Sequence, residues 1–173
     1  MTMRILKTIA LSALTVLFIN CGGGDKKEDK KEEVKLKTNT STSTKKEDPN
    51  VTEIVLLAND QMQFNMKEIK VPAGKKVKLV LRHTGKQPVE VMGHNFVLLT
   101  QGTQMSEFAA KASTARDNDY IPEGTDQVIA HTKMIGGGQE TSITFDAPEK
   151  GEYTFICSFP GHYSMMNGKF IVE

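Results

Sequence analysis

The chain has 173 residues, a net charge of +1 and 25% charged residues. No basic excess marks it for nucleic acid. Two cysteines, Cys21 and Cys157, are too few for a disulfide scaffold. The first segment is MTMRILKTIALSALTVLFINC. Arg4 and Lys7 give a positive start, and Thr8 to Ile19 is almost wholly apolar. That is the pattern of a secretory signal peptide over residues 1–20, too short to span a bilayer as a mature helix.

The apolar run ends in Leu17-Phe18-Ile19-Asn20-Cys21, followed by Gly22-Gly23-Gly24. This resembles the lipobox of bacterial lipoproteins, in which the cysteine is acylated and becomes the mature N-terminus. The commonest form has Leu three before the cysteine and a small residue just before it; here those are Phe18 and Asn20. The resemblance implies lipidation at Cys21, and acyl burial of ~0.8 kcal/mol per methylene would hold the protein at a membrane without a spanning helix. Residues 21–50 then read as a disordered tether. Only Val34 and Leu36 are large and apolar there, and lysines and acids nearly cancel. Such a segment buries too little surface to offset chain entropy, and it would reach roughly 30 Å as a flexible chain.

Residues 51–173 are the right length for one domain. They carry 12 Lys and Arg against 14 Asp and Glu, a net charge of −2. Short segments rich in Val, Ile, Thr and Phe recur: VTEIVLLAND, EIKVPAG, KKVKLVLRHTG, VEVMGHNFVLLT, QVIAHTKMI, ETSITFDAP, GEYTFICSF and GKFIVE. Turn residues punctuate them, as in Pro72-Ala73-Gly74 and Gly136-Gly137-Gly138. Several alternate, with Val77, Leu79 and Leu81 opposite Lys76 and Lys78. In Tyr153 to Phe159 the same phase puts Cys157 on the face of the aromatic core residues. Between Gln101 and Tyr120 the pattern turns Ala-rich, with Met105, Phe108 and Ala109 at helical spacing. The expected architecture is all-β: an antiparallel Greek-key sandwich of about eight strands, with a helical insertion around 103–120.

If Cys21 is acylated, Cys157 has no partner. Exported proteins rarely leave a thiol free, so either it is buried and inert or it has a use. Its neighbours favour a use. Pro160-Gly161 turns the chain, His162 follows five residues after the cysteine, and Met165 and Met166 follow His162. A structural zinc site wants four strong N or S donors, and no second cysteine is on hand. A thiolate with nitrogen donors and a weak thioether is the ligand set of mononuclear blue copper. A second imidazole must come from elsewhere, and His94 in VMGHNFVLL is the best candidate, on a strand interrupted by glycine and directed inward among Val and Phe.

The segments NDQMQF (59–64), VMGHN (91–95), DNDYIPEGTDQVIAHTKMIG (117–136), SITFDAPEKGEYTFICSFPGH (142–162) and the closing NGKFIVE resemble the azurins, blue-copper cupredoxins. The likeness covers essentially all of 51–173. It implies one type 1 copper ion held by His94, Cys157 and His162. It implies Met166, not Met165, as the axial thioether, and the Gly93 carbonyl on the opposite side. It implies that Asn95 ties the two ligand loops together with Ser158. The N–H groups of Asn95 and Phe159 would donate to the sulfur. His83 and His131 match family histidines that are not ligands. Azurins usually carry one disulfide, and the corresponding places here are near Thr52 and Lys75, so that brace, worth ~2–4 kcal/mol in general, is missing. The usual Trp after GHN is Phe96.

The function implied is electron transport: single electrons shuttled between redox proteins such as c-type cytochromes or a copper oxidase or reductase, in the periplasm, with no enzymatic step. His162 should have one ring edge near solvent, and Met92, Pro160 and Met165 could surround it with a weakly docking apolar patch. The alternative is a periplasmic copper-binding or delivery protein with the same ligands. A Cys-His hydrolase fares worse, because the loop offers no orienting carboxylate and its methionines would have no task. A multicopper enzyme is disfavoured, because four histidines leave no second cluster.

Overall fold

The computed structural model describes residues 48–173. The signal segment, Cys21 and nearly all of the tether lie outside the described residues. Among the described residues, no helix is long and apolar enough to cross a membrane.

Among the described residues, nine strands form two sheets. The four-stranded sheet has the order β2-β1-β4-β7, built from β1 (Val51–Asn59), β2 (Gln63–Phe64), β4 (Lys76–His83) and β7 (Glu140–Asp146). The five-stranded sheet has the order β3-β9-β8-β5-β6, from β3 (Glu68–Val71), β5 (Val97–Leu99), β6 (Val128–His131), β8 (Gly151–Ile156) and β9 (Asn167–Val172). Alternation decides which side chains meet between them. Ile54, Leu56 and Ala58 of β1, Val77, Leu79 and Leu81 of β4, and Tyr153 and Phe155 of β8 share one core with Phe170, Val172, Cys157 and Met166. Fully burying an aliphatic or aromatic side chain of this kind contributes ~1.5–3 kcal/mol.

Two pairings differ from an all-antiparallel sandwich. β1 runs parallel to β4, and β3 runs parallel to β9. After β2 the chain crosses to the other sheet for β3 and returns beside β1, and such a crossover makes neighbours parallel. The expected disulfide position is held instead by hydrogen bonds: Lys76 N–H donates to the Asn50 carbonyl at 3.0 Å, and Lys75 Nζ donates to the Pro49 carbonyl at 2.7 Å.

The helical insertion is present between β5 and β6. It comprises α2 (Met105–Ala112) and a 3-10 turn over Arg116–Asn118. Phe108 and Ala112 pack on Val97, Leu99 and Ile156, the outward side chains of the five-stranded sheet. That explains why β5 is buried on both faces.

The segment expected as one strand from Val89 to Thr100 is split. Val89–Met92 forms one helical turn, α1, and only Val97–Leu99 is strand. Pro88 opens the turn with φ −66, and its carbonyl accepts from the N–H groups of Val91 and Met92 at 3.0 Å each. The preference of VEV for strand yields to the need to lay Gly93 and His94 across the sandwich rim. At that rim β1, β4 and β8 end and β9 begins, as the registers Ala58↔His83 and Ile156↔Asn167 require.

Candidate metal centre

Two loops bring three side chains to the rim. His94 is fixed by a two-way backbone bridge to Ile135, each N–H donating to the other's carbonyl at 2.9 Å. Cys157 follows β8 directly, and its N–H donates to the Met166 carbonyl at 2.9 Å. His162 is carried around by a turn in which Gly161 takes φ +83, a left-handed value that suits glycine. Its carbonyl accepts from Met165 and Met166 at 3.0 and 2.7 Å.

The result is a cluster. Nδ1 of His94 lies 3.8 Å from the Cys157 sulfur, and Nδ1 of His162 lies 3.7 Å from it. The three donor atoms fall within 4.8 Å of one another, and all three residues are buried. The Gly93 carbonyl oxygen is 3.8 Å from the same sulfur. Gly93 is packed so closely that a Cβ there would sit 2.6 Å from the Val89 carbonyl. Met166 is fully buried in the core beneath, whereas Met165 is 47% exposed.

Several contacts orient these groups. The Nε2–H of His94 donates to the Asn59 carbonyl at 2.8 Å. A carbonyl only accepts, so the neutral ring keeps its Nδ1 lone pair turned toward the sulfur. His83 stacks on the His94 ring at 4.4 Å and bonds through Nε2 to the Met92 carbonyl at 2.9 Å, so it packs behind the site rather than in it. His131 lies in β6, away from the cluster. Asn95 spans two loops: its amide donates to the Ser158 hydroxyl at 2.8 Å and the Asp119 carbonyl at 2.9 Å, and its oxygen accepts from Ser158 N–H at 2.9 Å.

Sequence reasoning missed three of these supports. Asn59 and Asp119 act largely through backbone carbonyls, which leave no trace in residue type. Asp119 also accepts Met134 N–H on its carboxylate at 2.8 Å, and its backbone sits at φ +53. The third is Lys67, whose ammonium bonds two carbonyls of the loop that carries Cys157 and His162. His162 is only 4% exposed. No buried side-chain nitrogen is left unpaired among the described residues, and no described group bonds its Nε2, so that atom is where the ring meets solvent.

Burial pushes the Cys157 thiol up to about 12, partly opposed by the N–H groups of Asn95 and Phe159. Burial likewise pushes His94 and His162 down to about 4, with the His83 charge adding to the effect in both. The free site at neutral pH is therefore a thiol and two neutral imidazoles. A cation entering it displaces one proton, from sulfur. Affinity for such a cation should rise about tenfold per pH unit from about pH 5 to 8, and more steeply below about pH 4, where the imidazoles also hold protons. Calorimetry in buffers of different ionisation heat should read one proton released per ion at neutral pH; a value near zero would contradict this protonation state.

Two imidazole nitrogens and a sulfur converging in a dry pocket, with an uncharged thioether beneath, fit copper. The set is soft, tetrahedral zinc would lack a fourth strong donor, and oxygen-seeking cations would find no carboxylate. A mixed β-sandwich with this cluster at its rim defines a cupredoxin, and the donor set makes it a blue copper protein. The chain belongs to the plastocyanin/azurin family of copper-binding proteins, whose family model matches residues 51–173. Azurin of Alcaligenes faecalis is 42% identical over 120 residues, covering 67% of this chain and 94% of that protein. Outer membrane protein H.8 of Neisseria meningitidis serogroup B is 47% identical over 116 residues. The match covers 65% of this chain and only 62% of the H.8 protein's length. Among solved structures, the azurin Az-iso2 of Methylomonas sp. strain J superposes with a TM-score of 0.64 at 34% identity, covering 70% of this chain and 97% of that one. Auracyanin A of Chloroflexus aurantiacus gives 0.65 at 27% identity, covering 71% and 99%.

Proposed function

We propose that the protein carries single electrons between redox proteins, with His94, Cys157 and His162 as the strong copper ligands. The Met166 thioether and the Gly93 carbonyl are weaker flanking donors. Bound copper supplies a one-electron couple; the chain supplies a site that resists rearrangement. The observation that supports this most is preorganisation: three donors already lie within 4.8 Å, with the His94 ring held by the Asn59 carbonyl and the backbones of Cys157 and His162 each hydrogen-bonded within their loop. A site that need not move between oxidation states puts little reorganisation in the way of electron transfer. The thiol is buried and held protonated, the reverse of an activated nucleophile, which speaks against hydrolytic use.

His162 is the port. Its Nε2 edge reaches solvent, its ring packs on Phe159 at 4.6 Å between centroids, and Met165, whose N–H donates to the His162 carbonyl, is exposed on the same loop. An apolar rim of this kind suits brief encounters with a c-type cytochrome or a copper oxidase or reductase. Met165→Lys should slow exchange with such a partner by about tenfold while leaving the potential nearly unchanged. Stopped-flow kinetics and voltammetry on the same preparation check both.

The same reading puts the protein in the periplasm, anchored through acylated Cys21. The lipobox-like stretch before Cys21 supports it, as does similarity to a protein named for the outer membrane. The deciding experiment mixes reduced protein with an oxidised cytochrome c. Rapid reversible oxidation with copper retained is expected. Slow oxidation, with prompt loss of Cu(I) to a chelator, would instead make this a copper-delivery protein.

A further inference from the structure

Lys67 lies in the short connection between β2 and β3, about a hundred residues before the ligand loop. Its ammonium donates to the Met165 carbonyl at 2.6 Å and to the Asn167 carbonyl at 3.1 Å. Those carbonyls flank Met166. The Lys67 carbonyl also accepts from Lys169 N–H at 2.8 Å, so backbone and side chain hold the same stretch. From the opposite side Met166 is held by His162 and Cys157, at 2.7 and 2.9 Å. Bonds from an ammonium are stronger than neutral ones. Lys67 is exposed, yet it spends two donors on two specific carbonyls.

We propose that Lys67 is a positioning residue for the ligand loop: its ammonium pins the carbonyls of Met165 and Asn167, the residues before and after Met166, and so fixes where the Met166 thioether sits. The part concerning the thioether rests on Met166 being a copper donor; the clamp itself does not.

The test compares Lys67→Met, Lys67→Arg and, as a surface control, Lys70→Met, whose wild-type side chain pairs with Glu68. Amide hydrogen exchange is measured on copper-free protein, and the relative strength of the visible bands on the copper form. In Lys67→Met, exchange at Cys157 and Met166 should quicken about tenfold, a change expected from losing a charge-assisted bond. The β1 and β4 amides should stay unchanged, and the band ratio should shift. Lys67→Arg, which keeps the charge and several donors, should restore most of both, and Lys70→Met should change neither. Unchanged exchange in Lys67→Met would overturn the proposal, and so would a rise spread equally over both sheets. A faster loop with unshifted bands would keep the clamp and overturn the part that concerns the thioether.

Discussion

Cys157→Ala should abolish the intense visible absorption of the copper form while leaving the sandwich folded. Charge transfer from a thiolate gives blue copper its colour, and Cys157 is the sole cysteine among the described residues. Its side chain is small, and the core around it is set by Phe155, Leu56 and Phe170, so the fold should tolerate the loss at a cost of ~1 kcal/mol. Near-ultraviolet circular dichroism should stay native as the blue colour vanishes. Met166→Leu provides the contrast. It keeps the thiolate and both imidazoles, so colour should remain. It removes an electron-donating group that favours the oxidised form, so the potential should rise. Persistent colour in Cys157→Ala would refute the ligand assignment.

Asn95→Ala should be the most damaging change that removes no ligand. The side chain is fully buried and makes three hydrogen bonds, two to Ser158 and one to the Asp119 carbonyl. Deleting it strands the buried N–H of Ser158, next to Cys157. A stranded buried donor costs ~1–3 kcal/mol beyond the bonds themselves. A loss of about 3 kcal/mol in copper-free stability is therefore expected, with an unchanged denaturant slope. Asn95→Asp keeps an acceptor for Ser158 N–H but no donor for the Asp119 carbonyl, and should fall between. A loss under about 1 kcal/mol for Asn95→Ala would mean that the two loops are held by something else.

Much of this was legible in the residues because alternation and chemistry pointed the same way. The period of two through Tyr153, Phe155 and Cys157 fixes the thiol's face, and the core contains all three. The Ala-rich run with Phe108 and Ala109 at helical spacing forms α2, with both buried. Where local and tertiary demands part, the pattern misleads. Val89–Met92 reads as strand but turns as a helix, because His83 and Pro88 take up its backbone groups. The parallel pairings were hidden for a related reason, since strand order depends on which sheet a connection enters. At the site, the residues that cluster were visible and their supports were not. Asn59 and Asp119 contribute carbonyls that any residue could supply, and Lys67 looks like an ordinary surface charge until its acceptors are known. His162 is also more enclosed than its place in a Pro-Gly loop suggests, because Phe159 covers one face of its ring.

X-ray absorption at the copper edge tests the central claim most directly. Protein loaded with one equivalent of Cu(II) should show one short sulfur and two imidazole nitrogens in the inner shell, with the sulfur lost in Cys157→Ala. An inner shell of nitrogen and oxygen alone, in protein whose fold is intact, would contradict the account.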